Sequence, residues 1–243
     1  MTVTATGAPD RFTTPLYTVT EAARYLDVPV STLATWTHGY RNQAPGRREV
    51  IGAAVLAALP RVGGRGPVIP FVGLAEGLVL AAMRSSGVPL QRIRPALVRL
   101  EQELGLAHAL ASRRLYTDGA EVLYDYAERG DDPAAAEAAR ELVVVRNNQG
   151  VFNEVVESYL RRLDFGDDGY AKLLHLPAYD AADVVVDPMR SFGQPIFARG
   201  GARIEEALSL FRAGEPLEVV AQEYGIPPEQ LEDAVRIATR VAA

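Results

Sequence analysis

The alternation of apolar and polar positions predicts a mostly helical chain. Residues 1–14, rich in Thr, Ala and Gly, read as a frayed arm. Thr18-Val-Thr-Glu21 then has the spacing of a capping box, in which Thr18 caps a helix and Glu21 reaches back. Ala22, Ala23 and Leu26 give that helix one apolar face, and Asp27-Val28-Pro29 breaks it. Ser31, Thr32, Leu33 and Trp36 open a second short helix that ends near Gly39. Two short helices joined by a tight turn predict a helix-turn-helix. Helix signals then fade. Val50 to Leu59 and Val68 to Phe71 are apolar segments on either side of Val62-Gly63-Gly64-Arg65-Gly66-Pro67, which predicts a hairpin. Placed after a helix-turn-helix, it would be a wing with Arg61 and Arg65 near its tip.

From Leu74 to Arg84 the pattern is helical again, until Ser85-Ser86-Gly87 stops it. In the next helix Leu90, Ile93, Leu97, Leu100 and Leu104 recur at spacings of three and four. That is a heptad-like seam, which suits either a dimer interface or a core helix. Further helices are predicted over 120–127, 133–145 and 152–163, with a loop over 164–169. Val184-Val185-Val186 reads as a short strand before Asp187-Pro188. Three helices close the chain, over 203–213, over 216–224 with Gly225 after its last turn, and from Pro227-Pro228 onward. The expected organisation is an arm over 1–14, a winged helix-turn-helix over 15–115, an acidic helical connector over 116–183 and a small helical domain over 184–243. The fold class expected is mainly α, with a winged helix-turn-helix in front, a helical middle region and, at the end of the chain, a second small domain like a winged helix-turn-helix.

Charge divides the chain in the same way. Residues 11–117 hold thirteen Arg, no Lys and six acidic residues, a balance of +7, whereas residues 118–243 hold twelve cations and twenty-four acids, a balance of −12. A basic front attracts a phosphate backbone and an acidic rear repels one, so two different partners are expected. The absence of cysteine excludes a disulfide scaffold, a thiolate zinc site and a cysteine nucleophile. No apolar run has the length of a membrane span and the first residues carry no leader pattern, so a cytoplasmic protein is expected.

Candidate chemistry is sparse. His38, His108 and His175 are scattered, without metal-ligand spacing or a nucleophile elbow. Asp167-Asp168 suits a solvated loop better than a metal site, and Gly63-Gly64-Arg65-Gly66 lacks the strand and helix of a phosphate cradle. No catalytic residue, metal or cofactor is assigned, and an enzyme is not expected. His38 reads as a helix cap or a DNA contact, and Trp36 as the residue that closes a small core.

Residues 17–104 resemble the MerR-type winged helix-turn-helix head, through Tyr17-Thr-Val-Thr-Glu-Ala-Ala23, Val28, Thr32-Leu33, Trp36 and Ser86-Gly-Val-Pro-Leu-Gln-Arg-Ile-Arg94. The head departs from that pattern at Pro29, where the family has Ser or Thr, and near Ala34 and Thr35, where it has Arg or Lys. Residues 184–243 resemble a small domain of unknown function common in prokaryotic antitoxins. The matching pieces are Val184-Val-Val-Asp-Pro188, Gly193-Gln-Pro195, Gly201-Ala-Arg-Ile204, Leu217 to Tyr224 and Leu231-Glu-Asp-Ala234. Together the two resemblances imply a VapB-type antitoxin that neutralises a PIN-domain ribonuclease toxin and represses its own operon.

On that resemblance the second helix enters the major groove and the wing touches the backbone. The expected DNA contacts are Ser31, Thr32, Thr35, His38, Arg41, Arg47, Arg48, Arg61 and Arg65. Arg199 and Arg203, beside the Gly193–Gly201 turn, are expected at the toxin, because an Arg pairs bidentately with the carboxylates of a nuclease. The alternative for Arg203 is to tie its own domain together. A homodimer is expected, through the Leu90–Leu104 seam or the helices of 118–163. A ligand-responsive MerR-like regulator, with an effector pocket in 118–183, is the alternative function.

Overall fold

The computed structural model describes residues 9–42, 50–61, 66–130, 132–146 and 149–242. Helices α1 (Val19–Tyr25) and α2 (Val30–His38) form the expected helix-turn-helix. Its start is the predicted capping box: Glu21 N–H donates to Thr18 Oγ1 at 3.2 Å, and Thr18 N–H donates to Glu21 Oε2 at 2.8 Å. Trp36 is 2% exposed and Leu33 fully buried, so Trp36 closes the core of the head.

Strands β1 (Tyr40–Asn42) and β2 (Val50–Gly52) follow at once and pair antiparallel, Tyr40 opposite Gly52 and Asn42 opposite Val50. The wing therefore lies earlier than the hairpin expected around Gly63. Val68 and Ile69 pair instead with Tyr17, both donating to its carbonyl, at 2.9 and 3.0 Å. Their backbone is thereby committed to the segment that leads into α1; the Leu59 N–H donates to the Val68 carbonyl at 2.7 Å, and residues 62–65 of the expected turn lie outside the described residues.

Helix α3 (Phe71–Ser85) is the hub. Every residue from Phe71 to Met83 is buried, as expected of a helix that is apolar all round. Helix α4 (Leu90–Leu104) carries the heptad-like seam, and Ile93, Leu97, Leu100 and Leu104 are all 7% exposed or less. The seam packs against α5 (Ala120–Arg129) and α6 (Pro133–Leu142) of the same chain. It is a core seam, so a dimer interface through these leucines is ruled out.

The helix expected to run to Val145 ends at Leu142. Its last valines form β3 (Val143–Arg146), paired with β4 (Gln149–Phe152). Three consecutive β-branched residues favour the pleated conformation over a helical turn. After α7 (Glu154–Leu160) come β5 (Leu163–Phe165), β6 (Ala171–His175), β7 (Val184–Val186) and β8 (Ile196–Phe197). They form one antiparallel sheet in the order β5-β6-β7-β8. Leu174 pairs with Val186 across the boundary expected at 183/184, so the connector is not wholly helical and shares a sheet with the rear unit. Helices α8 (Ile204–Arg212), α9 (Leu217–Tyr224) and α10 (Pro228–Ala242) pack on one another at the end of the chain.

One apolar cluster runs from Tyr17 to Ala234 and takes in residues of every element named above except β1 and β2. Residues 9–14, expected in the arm, lie on this body: Phe12 packs edge-on to Tyr170 at 5.2 Å between ring centres, and Arg11 donates to the Ala171 carbonyl at 3.0 Å.

Candidate nucleic-acid interface

The outer face of α2 is built by helical phase. Leu33, Trp36 and Thr37 point into the core, which turns residues 31, 35 and 38 outward on one stripe. Ser31 and His38 are exposed, while Thr32 and Thr35 are half-buried. The Thr35 hydroxyl donates to the Ser31 carbonyl at 2.9 Å and is thereby engaged with its own helix. Gly39, at φ 71°, ends the helix; a side chain there would meet the Gly52 carbonyl at 2.3 Å. That glycine lets the wing fold back directly beside α2.

Arg41 is exposed on β1, next to the α2 face. Arg47 and Arg48 fall between β1 and β2, outside the described residues, as does Arg65. Arg61 is exposed, but it lies well beyond the wing in sequence and not at its tip. Sequence reasoning missed Arg94. From α4 its guanidinium donates to the Ala53 carbonyl and lies over the Tyr40 ring at 5.8 Å. It fastens the base of the wing to the helical body.

Beneath the head, Glu76 is 5% exposed and accepts from the Ala57 N–H at 2.6 Å and from His108 Nδ1 at 2.8 Å. The hydrogen bond to Glu76 raises the His108 pKa above its usual 6.5, against the opposing effect of burial. Among the described residues no group of three or more His, Asp or Glu side chains could hold a metal. Asp168 pairs with Arg11 and accepts from the Tyr170 N–H at 3.1 Å. His175 pairs with Asp183 at 2.7 Å.

At the rear the two candidate arginines part company. Arg199 is exposed on the turn before α8. Arg203 pairs with Glu206 on its own helix and donates to Gln194 Oε1 at 3.1 Å. Arg203 lines a groove of about 1050 Å³ between α1 and the helices α8 and α10. Of the expected effector region, 118–183, Tyr179 lines this groove, and two cavities lined chiefly by that region are smaller, about 350 and 270 Å³.

Tyr17 and Tyr179 also line the groove. Burial raises both phenols, Tyr179 to about 12, so both remain protonated donors. On the rim, Ser191 and Phe192 adopt φ 48° and 52°, a region that costs a non-glycine residue about 1–2 kcal/mol.

A second residue missed from sequence is Asp233. Fully buried on α10, it accepts from the N–H groups of Asp180, Ala181 and Ala182 at 2.8 to 2.9 Å and pairs with Arg236 at 2.8 Å. Burial works to raise its pKa, but the three N–H donors and Arg236 outweigh it and hold the carboxyl below its usual range.

Comparison with known proteins adds the following. A family described as "Putative DNA-binding HTH domain" matches residues 15–97. The chain is 47% identical over 226 residues to "Putative antitoxin VapB45" of Mycobacterium tuberculosis, covering 93% of this chain and 94% of that protein. It is 26% identical over 239 residues to "Uncharacterized protein Rv2308" of the same organism, with 94% of each covered. The crystal structure of Rv2018 from Mycobacterium tuberculosis superposes with a TM-score of 0.81 at 45% identity, over 93% of this chain and 99% of that one.

Proposed function

Because the chain belongs to the VapB-type antitoxin family and its head matches a family of putative DNA-binding helix-turn-helix domains, we propose that it neutralises a PIN-domain ribonuclease toxin and represses its own operon. The observation that carries the DNA half is the outward stripe of α2 set directly beside a two-stranded wing. Ser31 and Thr32 read base edges and the Thr35 methyl reads thymine methyl groups. His38, Arg41, Arg47, Arg48, Arg61 and Arg65 contact phosphates, which fix register without reading sequence. The head keeps few acidic residues among its cations, which supports a polyanionic partner.

Residues 15–115 carry the DNA contacts and 116–243 most of the toxin contacts, although the two share one core. Arg199 is the cation offered to the toxin, and Arg203 serves the integrity of its own domain. The protein acts as a homodimer in the cytoplasm, matched to a two-fold operator. With the α4 seam buried, the exposed faces of the 118–163 region form the dimer contact. No catalytic residue, metal or cofactor is assigned, and the protein is not an enzyme.

Titration of the full-length protein with its upstream DNA at several salt concentrations tests the DNA half. Specific binding with a steep salt slope is expected, because each neutralised phosphate releases counterions. The double variant Arg41→Glu with Arg61→Glu should flatten that slope by about two units. An unchanged slope would remove the head from the interface.

A further inference from the structure

Met189 and Phe192 stand 70% and 78% exposed on one turn, more open to water than any other large apolar side chain among the described residues. The turn is closely tied. The Met189 N–H donates to Asp187 Oδ1 at 2.8 Å, and Gly193 and Gln194 donate to the carbonyls of Arg190 and Ser191, both at 3.0 Å. It is also strained, with Ser191, Phe192 and Gly193 all left-handed. Strain of this kind persists where the surroundings over-determine it, and it clusters at contact and switch regions.

Beneath the turn lies the Tyr17 phenol. A Cβ at Gly193 would sit 2.5 Å from its oxygen, so only glycine lets the turn lie this close. The hydroxyl is buried and without a hydrogen-bond partner among the described residues. Strain above and an unpaired donor below are both relieved if the turn lifts and an acceptor reaches Tyr17.

The geometry points to this turn, with the groove it borders, as the surface that docks the toxin. Phe192 and Met189 enter an apolar recess of the toxin, and a main-chain carbonyl of a toxin segment laid in the groove accepts from Tyr17. This rests on the reading of the chain as an antitoxin. The charge of the groove favours a protein over nucleic acid: Arg203 and Arg212 are already neutralised by Glu206 and Glu205, so a polyanion gains little there. A small effector held in the groove could touch Phe192, which lines it, but would leave Met189 in water. A protein segment covers them, and exposed aromatic and Met side chains are what such interfaces bury.

The test uses full-length protein and, as probe, the PIN-type nuclease encoded beside it, with binding read by calorimetry. Phe192→Gly removes the ring and relieves the left-handed strain. It should melt at the same temperature or higher, bind operator DNA as before, and bind the nuclease about thirtyfold more weakly or worse. Tyr17→Phe removes the unpaired hydroxyl. It should hold or raise the melting temperature while weakening the nuclease complex about fivefold, a pairing that a purely structural role does not produce. Wild-type binding with both variants within about twofold of it would overturn the docking surface and leave the antitoxin reading standing. Loss of operator binding in place of nuclease binding would also overturn it. A wild-type protein that does not bind the nuclease would overturn the antitoxin reading and this surface with it.

Discussion

The front and rear of the chain dispose of their arginines in different ways. In the rear Arg161 pairs with Glu157, Arg203 with Glu206, Arg212 with Glu205 and Arg236 with Asp233, all within seven residues along the chain. In the front Arg99 finds Glu103, but Arg11 and Arg114 reach past residue 117 to Asp168 and Asp118. Arg94 is held by a carbonyl and an aromatic ring. The composition explains the contrast. The rear offers two acids for each cation, so a partner is nearly always local, whereas the front has six acids for thirteen arginines. The lesson is that charge balance decides which cations remain for an outside partner. By count the rear keeps twelve acids in excess of its cations, whereas residues 11–117 keep seven cations in excess of their acids.

The strongest way to break this contrast is to remove the most buried rear carboxylate. Asp233→Ala leaves three backbone N–H groups without their acceptor and should cost about 3 kcal/mol, lowering the melting temperature by roughly 10 °C. Since one apolar cluster joins head and rear, calorimetry should show a single shifted transition. Two transitions of which only one moved would mean that the halves unfold separately.

A smaller effect sharpens the front. Thr32→Ala should reduce discrimination between the operator and single-base variants by about 1–2 kcal/mol while leaving nuclease binding unchanged. Uniform weakening across all sequences, seen in competition titrations, would move Thr32 from base reading to backbone contact.

The smallest effect concerns the joint under the head. The His108 pKa lies above 6.5 when folded, so its pair with Glu76 contributes fully below pH 6.5 and is lost as pH rises through the raised value. Partial solvent exposure keeps this under about 1 kcal/mol. Comparing wild type with His108→Gln in denaturant titrations from pH 6 to 8 should show that only the wild type loses stability. Parallel slopes would remove the pair from the balance.

The parts legible in the sequence were those specified locally. The Thr18–Glu21 box, the Pro and Gly boundaries of α8 to α10, and the Val184–Val186 strand each follow from residues within one turn of one another. The wing was expected later in the chain because its first strand, Tyr40-Arg41-Asn42, is short and polar and shows no alternation, while Gly63-Gly64, outside the described residues, has the composition of a hairpin turn. The α4 seam was legible as a seam, but its partner was not: α5 and α6 cover it from within the chain. Asp233 was invisible because its three donors lie 51 to 53 residues away. The Ser191–Phe192 turn was invisible because nothing in a Ser-Phe pair signals left-handed backbone.

The account stands or falls on the separation of the two partners, and one crossed measurement tests it. Two full-length variants, Arg41→Glu with Arg61→Glu in front and Arg199→Glu in the rear, are each titrated with operator DNA and with the nuclease. The account predicts that the front variant loses DNA by tenfold or more, on the order expected for phosphate contacts, and keeps the nuclease. The rear variant should keep DNA and bind the nuclease more weakly. A front variant that binds DNA like wild type, or a rear variant that loses DNA, would contradict it.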